Sequence, residues 1–247
     1  MSPKLELSDV EILLIEAELH SVMWFSTQTV PWVQYFVQTP VNVIHNYPLS
    51  LALEGLLVEE SYVAAYNEYK ETRSPAELFA SGKRRYHPFP MLLEKVYYKK
   101  LYMSASATDY LAYKPRTRLI YPVQTAYNAY APGTTGRFIV VRNLEESPPL
   151  SEGLYFRLGA KRFGLWRVRR IHKPAKVEPV KGPVEASTAF NVSDIEPQDV
   201  LGYTAVLKHY AGDVAISGRL QKGLGLEYLV GDKPLRLVIP VPKYLSV

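Results

Sequence analysis

The sequence predicts an α+β fold, an antiparallel sheet carrying a few helices, in a single domain spanning residues 1–247. Runs with strand character outnumber runs with helical character, and they do not alternate with helices as a parallel sheet would require. The strand-like runs are punctuated by proline and glycine, most clearly after residue 136. At 247 residues, with about half of them apolar and a fifth charged, the chain can bury a substantial core.

In chain order, residues 10–20 (Val-Glu-Ile-Leu-Leu-Ile-Glu-Ala-Glu-Leu-His) are apolar with scattered charge. We read them as an opening strand that continues through Val22-Met-Trp-Phe. Trp32, Tyr35, Phe36 and Val37 suggest another strand, stopped near Pro40. Asn46 is a candidate helix N-cap, followed by Pro48 in the first turn. Leu49, Leu53, Leu56 and Leu57 then share one helical face, with Gly55 inside the helix. A second helical pattern covers 60–71, where Tyr62, Tyr66 and Tyr69 read best as a core-facing stripe. Residues 72–135 mix proline, glycine, tyrosine and basic residues without a long period. They are too long for a plain loop, so we read them as an insertion, a functional arm projecting from a compact core.

Regular structure resumes at Gly136-Arg-Phe-Ile-Val-Val. Leu154–Leu158 alternates, placing Leu154, Phe156 and Leu158 on one face and Tyr155 and Arg157 on the other. Phe163–Ile171 reads as the returning strand, with Arg167 and Arg169 on a shared face. Residues 174–200 are proline-punctuated and read as loop. Leu201–Leu207 and Leu235–Val241 close the chain as strands.

Several function classes are disfavoured by composition. There are no cysteines, which removes disulfides, thiolate zinc sites and a cysteine nucleophile. His20, His45, His87, His172 and His209 are scattered singly, so no metal site is expected, and no cofactor. Gly218-Arg-Leu-Gln-Lys-Gly223 has the first spacing of a phosphate loop, but Leu224 and Gly225 replace its lysine and hydroxyl. Those glycines read as a tight hairpin. No Gly-x-Ser-x-Gly elbow occurs. No run reaches the roughly 18 apolar residues of a membrane span, and the start lacks a secretory pattern, so a cytoplasmic protein is expected.

Charge is unevenly distributed. Residues 1–60 hold eight acidic residues and one lysine, so a net +5 overall leaves +12 on the rest. Between 82 and 118 nine basic residues face two acidic ones, and from 154 to 177 there are eight basic and none acidic. Basic residues sit beside tyrosines at Lys83-Arg84-Arg85-Tyr86, at Arg116 and Arg118, and at Tyr155, Arg157, Lys161, Arg162, Arg167 and Arg169. The chain has 19 tyrosines. Cations neutralise phosphates, and aromatic faces stack on unpaired bases, so this pattern points to single-stranded nucleic acid. A solvated basic surface is the plainer reading of each cluster taken alone.

At His45-Asn46-Tyr47-Pro48-Leu49 and at Leu154-Tyr-Phe-Arg157-Leu158-Gly159-Ala-Lys161, the chain resembles the type I-D CRISPR effector subunit of the fifth Cas family, the Csc-one type of the RAMP superfamily. The likeness runs over roughly residues 10–245. This chain reads Arg-Leu-Gly-Ala-Lys, one residue longer than the family's Arg-Leu-Gly-Lys turn. The resemblance implies a ferredoxin-like, RRM-related sheet with a thumb. It implies a non-catalytic Cascade subunit that caps the 5′ handle of crRNA and contacts the backbone and large subunits, with target DNA near the PAM as a further partner. It also brings His45, Asn46 and Tyr47 forward as RNA-binding candidates, although helix capping and core packing explain them equally well. Two rivals remain: a metal-independent endoribonuclease using histidines near tyrosines, and an assembly adaptor whose basic face meets an acidic protein.

Overall fold

The computed structural model describes residues 4–23, 42–55, 73–104, 124–159, 164–207 and 211–247. Two antiparallel sheets form its frame. The first is assembled around β1 (Val10–Leu19), which pairs with β7 (Thr135–Asn143) on one side and β9 (Gly164–His172) on the other. β8 (Tyr155–Leu158) extends it beyond β9. On the far side of β7 lie β3 (Tyr86–Pro88) and β4 (Met91–Lys95), with β2 (Val43–Ile44) outside β4. A separate two-stranded ribbon joins β5 (Tyr98–Ser104) to β6 (Gln124–Tyr130).

The second sheet is organised by one long strand, β13 (Val214–Val230). β10 (Lys176–Glu185) and β11 (Phe190–Asn191) pair along one edge of it, and β12 (Val200–Leu207) and β14 (Lys233–Pro240) along the other.

β1 lies between two cores, which explains why its sequence is nearly continuous in apolar residues rather than alternating. Ile12 and Leu14, with Ile139 and Val141 of β7, pack against Phe190, Leu220, Leu224, Leu226 and Ile239 of the second sheet. Leu13, Ile15 and Ala17 face the other way, into a core with Phe138, Phe156 and Trp166. That core is covered by helix α1 (Asn46–Glu54) through Leu49 and Leu53. The order of layers is therefore helix, sheet, sheet. The antiparallel, helix-poor class read from the sequence is what the chain adopts.

Several elements differ from expectation. The N-cap of α1 is His45, whose ring accepts from the Tyr47 N–H, and Asn46 is the first helical residue. Gly55 is the C-cap rather than an interior position. The segment 72–135 is not one projecting arm. Helix α2 (Pro75–Ala80), with its Ser74–Glu77 capping box, and β3 and β4 belong to the two cores, because Ala76, Phe79, Tyr86, Met91 and Leu93 are buried there. Among the described residues the β5–β6 ribbon is the part of this segment that joins neither sheet's ladder, although Tyr130 at its end is buried in the core beneath β1 and bridges Met23.

Residues 176–185 are a strand, not loop. Pro179 and Pro183 are tolerated because β10 lies at a sheet border and is irregular between Lys181 and Val184. Gly218, Gly223 and Gly225 do not form a hairpin; they lie inside β13. A Cβ on Gly218 would come within 2.6 Å of the Phe190 ring, and one on Gly223 within 2.9 Å of Val238. These glycines let neighbours close over the strand, and their backbone is engaged in the ladder rather than offered to a phosphate. The expected strand at 32–37 and helix at 60–71 lie outside the described residues.

Candidate nucleic-acid interface

The second sheet covers only part of the face of the first. Along β1 the apolar phase Ile12, Leu14 continues as Glu16, Glu18 and, just past the strand, His20. Register carries this polar end across the sheet: Glu16 lies opposite Arg137 on β7, and Glu18 opposite Arg167 on β9. Tyr155 of β8 lies opposite Arg167 in turn, and Arg157 follows it two residues on, with the same outward phase. Their neighbours Phe156 and Leu158 point inward, as alternation predicts.

Tyr155 is 44% exposed. The Arg167 guanidinium stands 6.0 Å from its ring centroid, at the limit of a cation–π contact. The His20 ring meets Tyr155 edge-on, with centroids 5.6 Å apart. Across the sheet from this cluster the face neutralises itself. Arg169 pairs with Glu18 at 3.4 Å, Arg137 pairs with Glu16 at 3.4 Å and Glu94 at 3.1 Å, and His172 reaches Glu16 at 3.4 Å. No described carboxylate pairs with Arg167 or Arg170. The cationic and aromatic character therefore concentrates on the β8–β9 border, at Tyr155, Arg157, Arg167 and Arg170.

The sequence candidates separate into four groups. Arg157, Arg167, Arg169 and Tyr155 do share one face. Lys83 and Arg85 sit elsewhere, on the turn from α2 to β3, where Arg85 lies 3.7 Å from Glu54 at the end of α1. In that same turn Arg84 is buried and donates to the Lys83 carbonyl. Arg116, Arg118, Lys161 and Arg162 lie outside the described residues.

Tyr86, His45, Asn46 and Tyr47 must be corrected as surface contacts, because their side chains are core. The Tyr86 ring is buried, its hydroxyl donates to the Pro148 carbonyl at 2.7 Å, and burial pushes its pKa up to about 12. His45 accepts at Nδ1 from Tyr47 N–H (2.9 Å) and donates from Nε2 to the Gly212 carbonyl (2.9 Å), so its imidazole is neutral. Burial holds its pKa below the usual histidine value.

Asn46 belongs to a buried polar knot centred on Asp194. The carboxylate accepts from Asn46 Nδ2 (2.6 Å), from the backbone N–H of Ala76 (2.9 Å) and from His87 Nε2 (3.0 Å). His87 Nδ1 meets the Tyr244 hydroxyl at 2.7 Å, and Asn191 donates to Asn46 Oδ1 at 3.1 Å. Burial alone would raise the Asp194 pKa, but His87 and the donors around it outweigh that, and the carboxyl stays below its ordinary range. These bonds tie α1, α2, β3 and the chain end together. The knot has the residue types of an acid–base site, but its depth keeps it from a polymer substrate.

His20, Arg137, Arg170 and the three glutamates were missed as parts of this face. The signal for His20, Glu16 and Glu18 was their common phase on β1. Arg170 shares the exposed border with Arg169 through an irregularity in the β1–β9 ladder that no periodicity announces.

A model of the Type I-D CRISPR-associated protein Cas5/Csc1 family matches residues 10–216. The chain belongs to this family. The match takes in the His45-Asn46-Tyr47 helix start and the β8–β9 border of the Cas5/Csc1 chain alike. Comparison with curated proteins found no match. Among solved structures, one similar chain comes from the cryo-EM structure of the Type III-B Cmr-beta bound to cognate target RNA. It is 16% identical, with 66% of this chain and 60% of that chain covered and a TM-score of 0.38. Another is a CRISPR protein from Archaeoglobus fulgidus in crystal form, 11% identical, with coverage of 93% and 99% and a TM-score of 0.34. This chain thus spans 60% of the length of the first. Neither likeness is close enough to carry a functional conclusion. Among the described residues no helix is long and apolar enough to cross a membrane, and no group of acidic and histidine side chains is arranged to hold a metal ion.

Proposed function

We propose that this chain is a non-catalytic subunit of a type I-D CRISPR interference (Cascade) complex that binds and caps the 5′ handle of crRNA. Membership of the Cas5/Csc1 family supports the Cascade-type role. The observation that carries the RNA assignment is the exposed Tyr155 beside Arg157 and Arg167 on one sheet border. Tyr155 offers a face for one unpaired base, and the arginines neutralise the flanking phosphates. The ferredoxin-like reading is a sheet centred on β1 with α1 on one face, and the β5–β6 ribbon is the thumb. Contacts with the backbone and large subunits, and with target DNA near the PAM, belong to the same proposal.

Binding of labelled handle RNA tests it. The Arg157→Glu/Arg167→Glu double variant should lose about 10- to 100-fold in affinity, with a shallower salt dependence. Unchanged affinity in a folded variant would refute the assignment.

Endoribonuclease activity is the second reading, and one observation favours it: His20, unlike His45 and His87, is exposed and sits against Tyr155. Incubation with repeat RNA in EDTA separates the two. Discrete cleavage that His20→Ala abolishes would establish the enzyme; intact RNA supports the binding role.

A further inference from the structure

We infer that β12 is an acceptor edge, on which an extended segment of another protein subunit adds as a further strand. Among the described residues the strand borders the second sheet and pairs with β13 alone. Its sequence, Val-Leu-Gly-Tyr-Thr-Ala-Val-Leu, has no charge and no proline over eight residues. Residues 201–205 are exposed consecutively, so neither face is covered, and Leu201 and Tyr203 are 48% and 46% exposed. Ile216 of the adjoining β13 is exposed as well, at 43%.

The other long borders show how an edge is ordinarily closed. β10 carries Pro179 and Pro183, an irregular register and four charged side chains. β14 carries Lys233, Pro234, Arg236 and Pro240, and Ser187 bonds both the N–H and the carbonyl of Val238. β8 is only four residues long. None of these devices protects β12 apart from ladder irregularities beside Gly202, Ala205 and Leu207.

The chemistry selects the occupant. A row of unpaired N–H and C=O groups is satisfied by another extended backbone, and alternate apolar side chains give it register. The uncharged ladder calls for a segment that is itself uncharged where it meets residues 201–206. A separate subunit is favoured over a second copy, since two copies would bring net charges of +5 together.

The inference rests on the Cascade reading, because that assembly supplies the neighbouring chain. Amide hydrogen exchange tests it directly, comparing the isolated chain with the complex reconstituted from crRNA and the backbone and large subunits. The outward amides of Leu201–Val206 should exchange quickly in the isolated chain and slow by at least about tenfold on assembly. Tyr203→Lys should weaken incorporation while leaving binding of handle RNA at its wild-type level. A complex in which these amides are unchanged overturns the inference and leaves the RNA role standing. Concentration-dependent protection in the isolated chain would assign the edge to a second copy and overturn it too. Failure of the wild-type chain to assemble at all would overturn the Cascade reading, and this inference with it.

Discussion

The Asp194 knot and the Tyr155 border are made of similar residues but do opposite things. Both combine polar side chains with tyrosine, and both coincide with short motifs that single out this chain. In the knot every polar group is turned toward another, and the ensemble holds helices and strands together. At the border the arginines face solvent, and Arg167 has no described carboxylate partner. What separates them is direction, not composition. A binding surface needs unsatisfied chemistry that water can reach; a structural site needs its chemistry satisfied internally.

Variants that distinguish the two regions follow in order of expected effect. Asp194→Ala should be the most damaging, since it strands three buried donors. We expect a loss of about 3–5 kcal/mol in chemical denaturation, with RNA affinity unchanged in whatever fraction folds. Arg157→Glu/Arg167→Glu should do the reverse, costing about 1.4–2.8 kcal/mol of binding and little stability, measured by titration and by melting.

Next comes acid sensitivity. His45 and Asp194 both have depressed folded values, so the unfolded chain binds the extra protons. Stability is full above the unfolded values and is lost as pH falls through the folded ones: for His45 on descending from about 6.5, for Asp194 from about 3.8. Denaturation midpoints against pH check this, and Asp194→Asn should flatten the lower limb. The smallest effect is the most specific. Glu18→Gln frees Arg169 from its ion pair, so handle affinity should rise about two- to threefold at low salt, the scale of one exposed ion pair.

The frame of this fold was legible where one physical signal acted alone. Leu154–Leu158 alternated because one face is buried and the other is not, and Arg167 followed on the paired strand. Legibility failed where tertiary contacts overrode local preference. Pro179 and Pro183 suggested loop, yet a border strand tolerates them. Gly218 and Gly223 suggested a turn, yet they make room for Phe190 and Val238. Asn46 suggested a cap because its partner Asp194 lies 148 residues away, a separation that local pattern cannot bridge. The same limit hid the self-neutralised half of the face, since the pairing of Glu16 with Arg137 depends on the register between β1 and β7.

The decisive measurement is the salt dependence of handle-RNA affinity for the wild-type chain and for Arg157→Ala/Arg167→Ala. If the β8–β9 border holds two phosphates of a single strand, the slope of log affinity against log salt should become shallower by about 1.4 in the variant. Superimposable slopes from two folded proteins would mean that the polyanion, if bound at all, is bound elsewhere.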